Sequence, residues 1–378
     1  MRLLVLYQAH DAARDQPGYY DGFERLVEEG LLRAHAAIAY YEVARQRGWD
    51  GLWVEAAKAA QAMDADSIFL QWFHLRNMPD PTAGILRLKN LPARPTLFAS
   101  LGDPFGRWSK RVSQCFRVAS RLADVSFLTG MGYLAQQLRR WGSRNLVLMP
   151  NGCCQRRFAA AVEPSQNPQF DVVFVGSRLR PRNPLGHHFR VARRRVQLVA
   201  AFTRRYGRRF GLFGLGWEGN PSWHGPVPYQ SQHAAYREGA VALGGLPHAY
   251  HDYYTSDRVF IATASGVPLV DYAVPGVERI LQPGVDWWLA RDIEGMIAAC
   301  DRLLALSSPE RLALGERARQ RALAAHTQYH RCRQMVEIVR DVRSARLAGR
   351  SAHEPKLGFL AEASTEQDAP PAIVAWQG

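Results

Sequence analysis

The chain has 378 residues, 47% hydrophobic and 22% charged, which are the values of a folded globular protein too long for one ordinary core, so two domains of about 150 residues each are expected. No apolar run reaches the roughly 18 residues needed to cross a bilayer. The formal net charge is +14, and residues 1–150 carry 19 basic and 14 acidic groups against 29 and 20 in the remainder, so both halves are basic.

The chain opens MRLLVLYQAHD, with His10 and Asp11 arriving before any small-residue cleavage site, and it reads as a first strand rather than a signal peptide. Leu3 to Tyr7 is that strand. Helical spacing of Leu26, Leu31, Leu32, Ile38 and Tyr41 predicts a helix from Phe23 to Arg45. A helix through Val54 to Met63 follows, then strands Ser67 to Trp72 and Thr96 to Ser100, a helix Trp108 to Leu122, a strand Val125 to Leu128, a helix Tyr133 to Trp141 and a strand Leu146 to Leu148. Strand alternating with helix is the α/β signature.

At Pro150-Asn151-Gly152 the chain turns, and EPSQNPQF, Glu163 to Phe170, is a polar, proline-containing stretch. An N-terminal domain over 1–153 and a linker over 154–170 are predicted there. A second series occupies 171–327: strand Asp171 to Val175, helix Val191 to Tyr206, strand Phe210 to Phe213, a strand around Val241, helix Asp257 to Ala264, strand Pro268 to Val270 and helix Ile293 to Leu304. Two Rossmann-like domains facing a ligand cleft is the expected fold class. A basic amphipathic helix over 328–346 closes the series, and 347–378, rich in Ala, Glu, Ser and Pro without periodicity, is expected to be disordered.

Five cysteines (Cys115, Cys153, Cys154, Cys300, Cys332) form no C-x-x-C pair, which gives no zinc spacing and suits a reducing compartment, so cytoplasmic localisation is expected. Asp64-Ala65-Asp66 has the spacing of a metal-binding pair but precedes its strand, and a solvated loop is the better reading. Gly130-Met131-Gly132-Tyr-Leu-Ala135 follows a strand and precedes a helix, yet no acid stands about 20 residues on, so it reads as a tight turn rather than a dinucleotide fingerprint.

Ser256 is suited to cap the helix at Asp257, and Arg258 falls in its first turn; free N–H groups there bind phosphate and a guanidinium adds a bidentate donor. Gly176, Ser177 and Arg178 follow the first strand of the second domain, and Gly214-Leu-Gly216 follows the next, where glycines allow close approach of backbone to a ligand. In the first domain Asp103, within Gly-Asp-Pro-Phe-Gly, follows a strand at the carboxyl edge where α/β proteins bind ligands, and is a candidate catalytic base; His74 is a second. From Arg178 to Arg209 there are eleven arginines and no acid. Such a field attracts phosphates or an anionic membrane face. No zinc module, RNP aromatic pattern or basic zipper accompanies it, which argues against nucleic acid.

The order of these segments resembles the group-1, CgeB-like glycosyltransferases. The segment Tyr253-Tyr-Thr-Ser-Asp-Arg-Val-Phe-Ile-Ala-Thr-Ala-Ser-Gly266, the strand ending in Asp271, the turn Pro275-Gly276-Val-Glu278 and the stretch His326 to Arg331 carry the likeness. Pro150-Asn151-Gly152 with Phe158 and Asp171-Val-Val-Phe-Val-Gly-Ser177 extend it over most of 125–335. The resemblance implies a GT-B fold and metal-independent hexosyl transfer from a nucleotide-diphosphate sugar to a glycan, lipid-linked or protein hydroxyl, in cell-surface glycan or glycolipid synthesis. No cofactor is implied beyond that donor. It also implies donor contacts from Gly176, Ser177, Arg178, Gly214, Gly216, Ser256, Asp257 and Arg258. In one respect the chain departs: the acidic pair with which retaining relatives read the donor falls at Tyr253 and Ile261, so a catalytically degenerate scaffold that binds nucleotide sugar or glycan is the alternative.

Overall fold

The computed structural model describes residues 1–75, 77–103, 105, 111–158, 165–181, 187–245 and 251–350. The expected tail therefore lies outside the described residues, apart from 347–350. The described residues divide into two compact units, one of residues 1–105, 111–150 and 328–350, the other within 151–327.

The first unit carries six parallel strands, β1 (Arg2–Tyr7), β2 (Ala34–Ala39), β3 (Ser67–Leu70), β4 (Thr96–Leu101), β5 (Val125–Leu128) and β6 (Leu146–Leu148), in the order β2-β1-β3-β4-β5-β6. Alternation along each strand sends neighbouring side chains to opposite faces. Leu4, Leu6, Ile68, Leu70, Leu97 and Ala99 join one core, and Leu3, Val5, Tyr7, Phe69, Phe98 and Phe127 join the other. On that second face Phe69 stacks on Phe98 at 4.5 Å between ring centres.

Helices α1 (Ala12–Asp15), α2 (Pro17–Glu28), α3 (Tyr40–Ala62), α4 (Thr82–Lys89), α5 (Gln114–Leu122) and α6 (Tyr133–Arg140) supply the crossovers that parallel strands require. The helix expected over Phe23 to Arg45 is instead the end of α2, all of β2 and the start of α3. β2 reads AHAAIA, too poor in branched residues to announce a strand, and its ladder with β1 sets its conformation, Arg2 facing Ala34 through Tyr7 facing Ala39. Helix α5 begins at Gln114, later than expected, because Ser113 caps it by accepting from the Phe116 N–H at 3.2 Å.

The second unit has five parallel strands, β7 (Phe170–Val175), β8 (Phe210–Phe213), β9 (Gly239–Leu243), β10 (Leu269–Tyr272) and β11 (Trp288–Ala290), ordered β11-β10-β9-β7-β8. Helices α7 (Gln155–Phe158), α8 (His187–Tyr206), α9 (Gln232–Arg237), α10 (Asp257–Ala264), α11 (Ile293–Ala305) and α12 (Ser308–Ala325) flank it. α7 lies where a linker was expected, and Phe158 is buried against Tyr229 and His233. The chain enters and leaves this unit side by side: Cys153 N–H donates to the His326 carbonyl at 3.0 Å, and Cys153 bridges Thr327.

The last described helix, α13 (Gln328–Leu347), belongs to the first unit, where Cys332, Met335, Val336, Val339 and Val342 cover the face that Val5, Phe69 and Phe98 present. Fully buried Arg331 donates to the Pro150 carbonyl at 3.0 Å and fixes the start of α13.

Candidate donor site

In an open parallel sheet, ligands bind beyond the carboxyl ends of the strands where the order reverses. In the second unit that point lies between β7 and β9. There Phe174, Val175, Leu243, Gly244 and Gly245 border a recess with Arg195, Tyr236, Ser256, Arg258 and Asp271.

The predicted loop residues come together beside it. Gly176 N–H donates to Phe213 O and Arg178 N–H to Leu215 O, both at 2.8 Å, prolonging the β7–β8 ladder into the two loops. Ser177 Oγ accepts from Leu215 N–H at 3.2 Å, and the Trp217 indole donates to Gly176 O at 2.7 Å. Gly214 and Gly216, at φ 137° and 84°, make the bend that permits this lacing. Much of the polarity of Gly176 and Ser177 is thus spent on holding the loops.

α10 starts where predicted, but Ser256 does not cap it: its backbone is extended and its hydroxyl takes no helix N–H. The Val259 N–H donates to the Ser256 carbonyl at 3.2 Å, and the N–H groups of Asp257 and Arg258 keep their capacity for an anion. Arg258 borders the recess with its buried Nε lacking a hydrogen-bond partner among the described residues. Asp257, also predicted to bind donor, carries a charge unsuited to phosphate, and that charge helps burial raise the pKa of the Tyr229 hydroxyl.

Two residues of the recess were not expected from the sequence to contact a ligand. Arg195 is 3% exposed on α8, where its Nη1 donates to Ser177 O at 2.7 Å and its Nε to Gly245 O at 3.3 Å, tying the loop after β7 to the loop after β9. Burial, with Arg258 nearby, pulls its guanidinium down to about 9. The signal was readable: among eleven arginines, Arg195 falls on the apolar stripe of Val191, Leu198 and Phe202. The second is Asp271 at the end of β10, whose carboxyl burial pushes up to about 7, opposed by the Tyr272 N–H and by Arg195.

Tyr253 and Ile261, the positions of the absent acids, do not border the recess. Tyr253 donates its N–H to Pro275 O at 2.7 Å with its ring against Gly276, and Ile261 is fully buried in α10. Asp64 pairs with Arg2 at 2.6 Å, and Asp66 accepts the Arg2 N–H, so both acids fasten the N-terminal strand.

In the first unit, Asp103 is exposed past β4, next to Gly102, against which the Trp72 indole packs. His74 lies past β3 with its ring 3.9 Å from that of Phe105, and its Nδ1 accepts the Ser113 N–H at 3.1 Å. At the switch point between β1 and β3, Gln8 N–H donates to Gln71 Oε1 and Gln8 Nε2 to the Tyr41 hydroxyl, both at 3.2 Å. Gln71 is fully buried and its Nε2 has no partner among the described residues. No hydrophobic pattern points to this amide pair.

Residues 193–337 match a family described as glycosyl transferase-like. Solved structures match about nine tenths of the chain. Sucrose-phosphate synthase from Thermosynechococcus elongatus matches over 91% of this chain and 100% of its own, at 16% identity and a TM-score of 0.57. Anabaena HepE, solved in complex with UDP-glucose, matches over 90% and 99%, at 15% identity and 0.54. A glycosyltransferase from Rickettsia africae matches over 90% and 98%, at 10% identity and 0.53. This is a GT-B fold. No curated protein sequence matches the chain. Within the GT-B fold, the recess belongs to the second sheet, and the family match contains Arg195, Arg258 and Asp271. No described helix is long and apolar enough to cross a membrane.

Proposed function

We propose that the chain transfers a glycosyl group from a nucleotide-diphosphate sugar to a hydroxyl acceptor. The observation that carries this reading is Arg258: a guanidinium whose buried Nε lacks a partner among the described residues, at the uncapped start of α10, in the recess at the sheet's switch point. Negative charge grows on the leaving diphosphate during transfer, and preorganised N–H groups and a guanidinium stabilise it as a metal would. No metal is needed in this scheme. The likeness to HepE, solved with UDP-glucose, supports a hexosyl donor of that type.

The first unit receives the acceptor at its strand ends, with Gln8, Gln71 and Tyr41 offering hydrogen bonds. Asp103 is the better base: the Ser113 N–H occupies the Nδ1 lone pair of His74, leaving its proton on Nε2. Arg193, Arg194, Arg204 and Arg208 are exposed on and just after α8 with no ion pair among the described residues, which suits an inner membrane face carrying a lipid-linked acceptor, in cell-surface glycan synthesis within the cytoplasm.

A melting-temperature panel of nucleoside diphosphates and nucleotide sugars tests the donor reading. Stabilisation by one nucleotide class, with release of nucleoside diphosphate once acceptor is supplied, is the expected result. The packing of Tyr253 and Ile261 favours the alternative of a binding scaffold without chemistry; binding without release in any acceptor mixture is its signature. No stabilisation by any member would overturn both.

A further inference from the structure

The donor recess contains one feature that phosphate binding does not explain. Among the residues that border it, Asp271 is the sole acid. Its Oδ1 accepts the Tyr272 N–H at 2.7 Å, and its Oδ2 has no hydrogen bond from the described residues. Neither Arg195 nor Arg258 comes within 4.0 Å of it, so the carboxylate is not neutralised by an ion pair. Space for it is built in: Gly244 N–H donates to Val270 O at 2.7 Å, which sets Gly244 beside Asp271, and any Cβ on Gly244 would overlap the carboxyl group.

A ligand offering only anionic oxygens would bring like charge toward this carboxyl. A ligand offering phosphate oxygen to Arg258 and an O–H to Asp271 satisfies both ends of the recess. We propose that Asp271 is a specificity-determining residue that accepts a hydrogen bond from a sugar hydroxyl of the bound nucleotide or nucleotide sugar. This rests on the donor reading above and adds to it: the recess recognises the sugar attached to the phosphate as well as the phosphate. The hydroxyl belongs to the ribose or to the transferred sugar, which present the same chemistry. Other charged or titratable groups around Asp271 are Arg195 from α8, Tyr236 from α9 and Arg258 from α10, which border the recess with it, and its chain neighbour Tyr272. The raised carboxyl pKa supports the assignment, since either protonation state accepts from a hydroxyl while the neutral state relieves repulsion from phosphate.

The test is calorimetric titration of UDP, GDP and ADP, their 2′-deoxy and 3′-deoxy forms, UDP-glucose and inorganic pyrophosphate into wild type, Asp271→Asn and Asp271→Ala, with each fold checked by melting. In Asp271→Ala the nucleotide or nucleotide sugar that binds should weaken at least about tenfold, and less in Asp271→Asn, which keeps one acceptor oxygen. Pyrophosphate should bind Asp271→Ala as well as wild type or better, because a neighbouring negative charge is gone. A ribose contact appears as wild-type preference for ribo over deoxy forms that Asp271→Ala loses; a contact to the transferred sugar appears as the same loss between UDP-glucose and UDP. Equal weakening of pyrophosphate and nucleotide would overturn the assignment, making Asp271 a prop for the arginines, as would unchanged nucleotide affinity. Both outcomes leave the donor reading standing. Wild type that binds none of the nucleotides overturns the donor reading and this assignment together.

Discussion

Gly214 lies so close to Gly176 that a Cβ on it would sit 2.5 Å from the Gly176 carbonyl oxygen. That carbonyl also takes the Trp217 indole proton, so the two loops after β7 and β8 behave as one unit. Gly214→Ala should cost about 2 kcal/mol or more, combining a φ of 137° with backbone overlap. Trp217→Phe, which removes one buried hydrogen bond, should cost about 1 to 2 kcal/mol. Urea unfolding midpoints measure both, and a wild-type midpoint for Gly214→Ala would show that the loops relax freely.

Arg258→Ala should weaken nucleoside diphosphate binding by roughly 2 to 4 kcal/mol, the worth of a charge-assisted contact shielded from solvent. Arg205→Ala should cost well under 1 kcal/mol, because Arg205 is exposed and paired with Asp301 at 2.8 Å. Arg258→Lys should recover only part of the loss, since a point charge lacks the planar fork. Equal affinity in all three, by calorimetry, would move the donor site elsewhere.

Asp103→Asn keeps shape and removes basicity. Turnover should fall at least about a hundredfold with donor affinity nearly intact. His74→Asn should leave a far larger share of turnover. If the ranking reverses in steady-state rates, the Ser113 contact to His74 breaks during the reaction and His74 is the base.

Asp271 makes stability depend on pH with a defined sign. An unfolded aspartate titrates near about 4, whereas here the carboxyl titrates at about 7, so between those values the folded state holds more protons than the unfolded one. This contribution to stability is present below about pH 4 and is lost as pH rises through about 7. Asp271→Asn, which never ionises, should therefore gain in melting temperature relative to wild type as pH goes from 4 to 8. A difference that stays flat with pH would show that the carboxyl titrates normally.

Replacing Arg193, Arg194, Arg204 and Arg208 together by alanine should abolish binding to vesicles containing phosphatidylserine, and wild-type binding should itself fall steeply between low and physiological salt. Salt-independent vesicle binding, or none, would leave these arginines as a solvated face.

Elements bounded by turn chemistry were legible in the sequence. Val125–Leu128, Leu146–Leu148, Phe210–Phe213 and Asp257–Ala264 have the predicted limits. Elements whose partners are small residues were not. α12 carries a capping box from Ser307 to Glu310, yet its buried positions include Gly315, Ala318 and Ala322, which produce no apolar period. The candidate site was half legible: a helix start pointed to Arg258, which borders the recess, and glycines pointed to Gly214, which shapes the loop beside it. Arg195 is placed by burial and Asp271 by its position at a strand end beside Gly244, and both depend on which strands become neighbours, a property of the sheet order rather than of any local spacing.

The return of α13 to the first unit bears on how the protein is made. A ribosome must finish every residue from 151 to 327 before Met335, Val336 and Val339 exist to cover Val5, Phe69 and Phe98. At about 5 to 20 residues per second that interval is on the order of ten seconds or more. Throughout it the nascent first unit has only α2, through Tyr19, Phe23 and Leu26, on that sheet face, and the part that α13 covers stays open. A chaperone that binds such surface has its longest opportunity there, and a product truncated before residue 328 keeps that part open for good.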